Sequence, residues 1–69
     1  MGDYYNVNKV EQFNGDHEVH TAGCSYRPAV ENRIDLGYFY SCSGAVTEAK
    51  KYYRQSNGCY FCSPACHTG

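Results

Sequence analysis

Hydrophobic and polar side chains alternate in two stretches near the start of the chain. Residues 4–13 alternate loosely around Tyr5 and Val7, and residues 17–21 alternate again around Val19. Alternation with a period of two is typical of strands that bury one face. The Asn-Gly-Asp sequence between the two stretches favours a tight turn, because asparagine and glycine tolerate positive φ. The pattern therefore predicts a β-hairpin.

A third stretch of alternation covers residues 32–40. Ile34, Leu36 and Tyr38 occupy every second position and are separated by polar residues or glycine. This pattern predicts a third strand. The proline-containing stretch 22–31 before it has no regular period, so we predict an irregular connection there.

The period changes to that of a helix over residues 44–55. The apolar residues of this stretch recur at helical spacing, and lysine, arginine and threonine lie on the opposite side. Ser41 or Ser43 is placed to cap its N-terminus, and the Asn-Gly pair at 57–58 is a typical C-terminal stop. The Ser-Pro pair at 63–64 predicts one further short helical turn.

These elements predict a small α+β domain. A short antiparallel sheet of two or three strands packs against one main helix. The Cys59-x-x-Cys62 spacing is typical of zinc sites, so we predict that a C-terminal zinc-binding turn closes the fold. The 69-residue chain has room for a single domain, covering residues 1–69. Its core should be thin, because it has one leucine, one isoleucine and no tryptophan, so we expect most of its tyrosines in the core. At this size a metal, disulfides or oligomerisation usually adds stability.

The charge pattern narrows the function classes. Six basic and seven acidic residues are interspersed, for a net charge of −1. No basic patch is visible in the sequence, so we expect a protein partner, and nucleic acid is an option that the charge does not support.

The chain lacks a long apolar run and a leader with a charged start, so we expect a cytoplasmic protein without membrane association. It also lacks a nucleophile triad pattern, phosphate loop or nucleotide fingerprint, so we do not expect an enzyme.

Thiols and imidazole are concentrated near the C-terminus. Cys59, Cys62, Cys66 and His67 fall within nine positions. In the cytoplasm clustered cysteines bind metal or do redox work more often than they pair. Cys59-x-x-Cys62 is half of a metal site, because a structural zinc takes four ligands in a tetrahedron. The other two ligands have to come from elsewhere in the chain.

Several residues could complete such a site. The candidates are the His20-x-x-x-Cys24 pair, Cys42, Cys66 and His67. A site that uses His20 and Cys24 would connect the hairpin to the C-terminal turn. It would close a long loop, where a cross-link restrains the unfolded chain most. The favoured zinc ligands are therefore His20, Cys24, Cys59 and Cys62. Cys66 and His67 stay open as alternatives for the fourth position.

The five cysteines also support a thiol-based hypothesis. Cys59 and Cys62 could form a disulfide or remain free core thiols, and Cys42 could pair with Cys66. Either pair would suit a thiol-active protein, redox or alkyl-accepting, which is the alternative to a zinc-binding protein. A disulfide-rich exported peptide is a third hypothesis, against which the odd number of cysteines counts.

An ordered set of motifs extends over residues 19–62. It consists of H-x-x-x-C at 20–24, a proline, N-R-x-x-L, S-C-x-x-A-V and finally G-C-x-x-C at 58–62. This order resembles the small Ada-type metal-binding domain. That domain forms the N-terminus of the Ada DNA methylphosphotriester repair protein and occurs as an accessory domain in other bacterial proteins. A C-x-x-x-C pair and a later C-x-x-C pair hold zinc in the family. By position, the resemblance implies the same ligands as the loop argument.

Two departures from the family bear on function. His20 occupies the position of the cysteine that accepts the methyl group in the repair protein, and an imidazole cannot serve as that thiolate. The basic DNA-contacting surface is also not evident. The resemblance therefore implies a structural zinc without self-methylating repair. We expect a non-enzymatic interaction module, with the exposed member of the Tyr60–Phe61 pair contacting the partner and the other turned inward.

Overall fold

The computed structural model describes residues 2–68 and contains a four-stranded sheet packed against one main helix. The elements in chain order are β1 (Asp3–Asn8), β2 (His17–Thr21), a 3-10 turn (Val30–Asn32), β3 (Arg33–Phe39), α1 (Cys42–Ala49), β4 (Ser56–Gly58) and a second 3-10 turn (Pro64–Cys66). This is the predicted α+β class, with four strands rather than two or three. Among residues 2–68, no helix has the length and apolar character that crossing a bilayer requires.

The sheet is mixed, with the order β3-β1-β2-β4. β1 pairs antiparallel with β2, where Val7 lies opposite Val19, and antiparallel with β3 on its other side. The predicted hairpin is thus confirmed. β4 pairs parallel with β2, so the two strands end at the same edge of the sheet. This last pairing positions the candidate site.

The core lies between the sheet and α1 and is small. Its buried members are Tyr5, Val7, Val19, Ala45 and Ala49. Half-buried side chains from β3 and α1 extend it at the margin. Because the helix contributes two alanines, its axis can lie close to the sheet, but little apolar area is removed from water.

The prediction that most tyrosines lie in the core is wrong. Tyr5 is the only buried tyrosine among residues 2–68, and six of the others are exposed. A sheet of short strands and an eight-residue helix do not enclose enough volume for more large rings. The aromatic side chains therefore lie mainly on the surface, where several of them pack against one another.

The predicted first strand is too long at its C-terminal end. β1 ends at Asn8 rather than at residue 13, and residues 9–16 form the connection to β2. Gly15 adopts a φ of 92°, and the amide of Asp16 donates to the side-chain oxygen of Asn14. The Asn-Gly-Asp sequence therefore forms the predicted turn, which is part of the longer loop 9–16.

The observed helix is shorter than the predicted helix 44–55 and begins earlier. α1 starts at Cys42 and ends at Ala49. Ser41 is its N-cap residue but makes no capping hydrogen bond with its side chain. The last residues of the predicted helix are held by contacts outside it, because Gln55 accepts the amide of His17 through its carbonyl and donates to Asp16 through its side chain. Tertiary contacts override helical periodicity here.

The pair at 57–58 belongs to a strand and is not a helix stop. β4 is buried although it reads Ser-Asn-Gly and has no apolar residue. Its polar groups are satisfied, since Asn57 donates to Asp16 and to the carbonyl of Thr68. Hydrogen bonds from Gln55 and then Asn57 lower the pKa of Asp16 below its ordinary value. A strand without hydrophobic alternation gives no signal in the sequence.

Candidate metal centre

Four side chains converge where β2 and β4 end. His20 is on β2, Cys24 follows in the next turn, and Cys59 and Cys62 follow β4. Because β2 and β4 are parallel, the segments that leave them start from the same edge of the sheet. The amide of Cys59 donates to the carbonyl of Val19, which fixes the start of the second segment against β2. Two motifs about forty residues apart in the chain therefore meet.

The four ligand atoms lie within 4.8 Å of one another. The sulfurs of Cys24 and Cys59 are 4.0 Å apart, and the sulfur of Cys62 is 4.0 Å from Nδ1 of His20. Four ligands around a tetrahedral zinc with Zn–S bonds of about 2.3 Å would have sulfurs about 3.8 Å apart. The cluster is thus close to the size that one zinc-sized cation requires.

The cluster is shielded from solvent. His20 and Cys59 are each 1% exposed, Cys24 is 6% exposed, and Cys62 is half-buried. Cys66 and His67, the alternatives for the fourth ligand, lie outside it. Cys66 is bonded to Cys42, and Nδ1 of His67 lies 3.0 Å from the carbonyl oxygen of Gly58. The structure thus brings together the four residues that the sequence favours.

Backbone amides point at the sulfurs. The amide of Thr21 donates to Sγ of Cys62 at 3.3 Å, and the amide of Tyr26 donates to Sγ of Cys24 at 3.4 Å. The backbone amides of Phe61 and Cys62 donate to Sγ of Cys59. Such donors favour the thiolate form that binds metal.

Burial and hydrogen bonding have opposite effects on the pKa values of the thiols. Burial raises the pKa of Cys24 to about 11 and also raises that of Cys59. Burial acts in the same direction on Cys62, but hydrogen bonds, first from the Thr21 amide, hold its pKa below the ordinary value. Three thiolates at this spacing, two of them buried, repel one another, so they cannot all ionise without a cation among them. A divalent cation would lower the pKa values of all three thiols.

The environment of His20 favours the neutral imidazole, which is the form that binds a metal. The cause is burial, which lowers the pKa of this side chain. While Nδ1 faces the sulfur of Cys62, Nε2 lies 3.5 Å from Oε1 of Glu18. A carboxylate on the far nitrogen of a metal-binding histidine fixes its tautomer and ring orientation. Sequence analysis did not single out Glu18, although its position two residues before His20 places both on one face of β2.

Comparison with known proteins gave no relative: no family model, curated protein or solved structure matches this chain. The resemblance to the Ada-type domain therefore stays a prediction that rests on the motifs.

A disulfide lies beside the cluster. Cys42, the first residue of α1, is bonded to Cys66, and their Cα atoms are 6.2 Å apart. The bond connects the helix to the segment that carries Cys59 and Cys62. The sequence left this pairing open, because distances between segments cannot be read from spacing.

The two residues between the cysteines of the C-x-x-C turn both face solvent. Tyr60 and Phe61 are each 62% exposed, so the prediction that one of them turns inward is wrong. The rings of Tyr26 and Phe61 stack with centroids 4.3 Å apart, and the ring of Tyr60 meets the edge of Phe61. We call Tyr26, Tyr60 and Phe61 the aromatic knuckle.

Proposed function

We propose that this protein is a structural zinc-binding domain. The observation that carries the proposal is the convergence of four ligand atoms within 4.8 Å, on residues 20, 24, 59 and 62. Three thiols and one imidazole are soft or borderline ligands, which suit zinc and not calcium or magnesium. Four protein ligands close the coordination shell and leave no position for a reactive water, so the ion would hold the fold without hydrolytic chemistry.

Native mass spectrometry tests the metal directly. Protein purified without added metal should carry the mass of one zinc, and acid denaturation should release it. The chain mass after release should be lower than that of the reduced chain by the hydrogens lost in the Cys42–Cys66 bond. Metal-free protein with one further disulfide between two of Cys24, Cys59 and Cys62 would refute the proposal.

A pair of variants separates ligands from other cysteines. Cys62→Ser should lose the zinc or bind it far more weakly, because it removes one of four ligands. The control, Cys42→Ser with Cys66→Ser, replaces two cysteines outside the cluster and should still bind one zinc, although with faster release than from the wild type. Cobalt substitution gives a second readout, since a tetrahedral thiolate site colours the protein and the Cys62→Ser spectrum should change.

We further propose that the domain is an interaction module with a protein partner. The aromatic knuckle supports this, because exposed tyrosine and phenylalanine side chains are enriched at protein interfaces. Kinship with the Ada-type domain is part of the proposal and is supported by the order of the motifs. Methyl transfer to the first ligand is not part of the proposal, because His20 occupies that position and an imidazole cannot replace the methyl-accepting thiolate.

A thiol-active protein is the competing function, and alkylation distinguishes the two. Zinc-bound thiolates should resist a thiol reagent until a chelator is added, whereas redox-active thiols would react without one. A cytoplasmic location stays a prediction. The disulfide gives it a test, because Cys42 and Cys66 would be thiols in a reducing cytoplasm.

A further inference from the structure

A second site is suggested by a cleft on the other side of the turn that follows Cys24. The cleft has a volume of about 360 Å³ and lies between this turn and the start of β3. Its lining consists of Ser25, Arg27, Pro28, Ala29, Val30 and Arg33. Two arginines therefore face one shallow cleft whose lining includes no acidic residue.

Both guanidinium groups are held by the backbone. Nη1 of Arg27 donates to the carbonyl oxygen of Cys24 at 2.9 Å, and Nη1 of Arg33 donates to the carbonyl oxygen of Pro28 at 3.1 Å. A guanidinium has five N–H donors, so most of them stay available in each case. Because the side chains are already ordered, a ligand would lose less conformational entropy in recruiting them.

Within residues 2–68, no carboxylate forms an ion pair with either arginine of the cleft. In this described part of the chain, carboxylates contact the side chains of neutral His20 (from Glu18) and charged Lys51 (from Glu48), and neither arginine takes part in such a contact. Two cations near one another repel, and an anion between them removes this cost. The chain has a net charge of −1, so this positive site is a local feature and not part of a basic surface.

We propose that the cleft binds a single oxyanion, the phosphate or carboxylate group of a small molecule, through Arg27 and Arg33. The planar guanidinium fork matches two oxygens of either group, and a pair of forks can contact several oxygens at once. One phosphate or carboxylate suits a localised pair of charges, whereas a polyanion would need a longer positive track. The site is separate from the metal cluster and does not require the proposed function.

NMR titration of the full chain as purified, with inorganic phosphate and separately with acetate, tests the proposal. At constant ionic strength we expect saturable shifts at the amides of residues 25–33 and at the Nε–H groups of Arg27 and Arg33. Arg33→Gln should weaken binding about tenfold or more, since it removes charge-assisted hydrogen bonds. Arg54→Gln has the same change in net charge at a residue outside the cleft lining, and it should bind like the wild type.

A second variant keeps both arginines in place. Ala29→Glu brings a carboxylate into the cleft and should abolish saturable binding while the rest of the spectrum is unchanged. Binding of phosphate but not acetate would identify the ligand group as a phosphate. Binding of acetate but not phosphate would identify it as a carboxylate. Shifts that do not saturate for either anion, or that Arg54→Gln reduces as much as Arg33→Gln, would overturn the proposal. Native mass spectrometry of the same samples reports zinc separately, so wild-type protein that carries zinc but binds neither anion counts against this site alone, and metal-free protein that binds an anion counts against the zinc proposal alone.

Discussion

Removing the Cys42–Cys66 bond should destabilise the domain and loosen its hold on the metal. The perturbation is the double variant Cys42→Ser with Cys66→Ser, which leaves neither partner of the bond as a free thiol. The bond spans a sequence separation of 24 residues. In the chain-entropy treatment, a cross-link over a loop of that length removes about 3.5 kcal/mol of freedom from the unfolded chain. A domain of this size has a total stability of roughly 3–10 kcal/mol, so the loss is a large fraction.

Urea unfolding of the zinc-loaded proteins measures this loss. We expect the free energy of unfolding to fall by about 3 kcal/mol. The rate at which a chromogenic chelator removes zinc should rise in the double variant, because the bond holds the segment that carries Cys59 and Cys62 against α1. The Cys42→Ala with Cys66→Ala variant is the control for side-chain polarity and should behave alike. Equal unfolding midpoints and equal release rates in wild type and both variants would refute the reasoning.

Three further predictions concern single residues. Glu18→Gln should weaken zinc binding about tenfold or more, because the carboxylate orients His20; competition with a chelator measures this, and Glu11→Gln should have no effect. Gly58→Ala should cost about 1–3 kcal/mol in urea unfolding, since an added Cβ would lie 2.8 Å from a cysteine Cβ of the disulfide; an unchanged midpoint would contradict the packing described. Side-chain hydrogen bonds lower the pKa of Asp16, so its stabilisation is present above the unfolded pKa of about 3.9 and disappears as pH falls through the folded pKa. NMR titration should place the Asp16 pKa below that value, and a normal pKa would refute the contacts.

The metal cluster could be predicted because its requirements are chemical. A four-ligand ion needs a partner for the C-x-x-C pair, and only a few histidines and cysteines were available to supply it. The loop argument then favoured His20 and Cys24 over Cys66, and the structure places these two residues beside Cys59 and Cys62. The class of fold followed from periodicity, since Val7, Val19 and Ala45 fall where the alternation and the helical spacing place core residues.

The features that could not be predicted depend on contacts between distant segments. β4 is buried through pairing with β2 and carries no apolar residue, so no periodicity marks it. Gln55, which the helical periodicity includes, instead accepts a backbone hydrogen bond from His17 of β2. The exposure of the tyrosines depends on the volume that the completed sheet encloses. The Cys42–Cys66 bond required a distance that spacing alone does not give.

The C-terminal segment is held to α1 by the Cys42–Cys66 bond, and the proposed metal would add a second cross-link. Between residues 59 and 66 the buried side chains are Cys59 and Ser63, and the larger apolar side chains, Tyr60 and Phe61, are exposed. Hydrophobic burial therefore contributes little to holding this segment on the sheet. A metal bound by Cys59 and Cys62 would fix its start, and the disulfide at Cys66 fixes its end to α1. Because the two cross-links act on the same short segment, the effects of removing each should be coupled rather than additive.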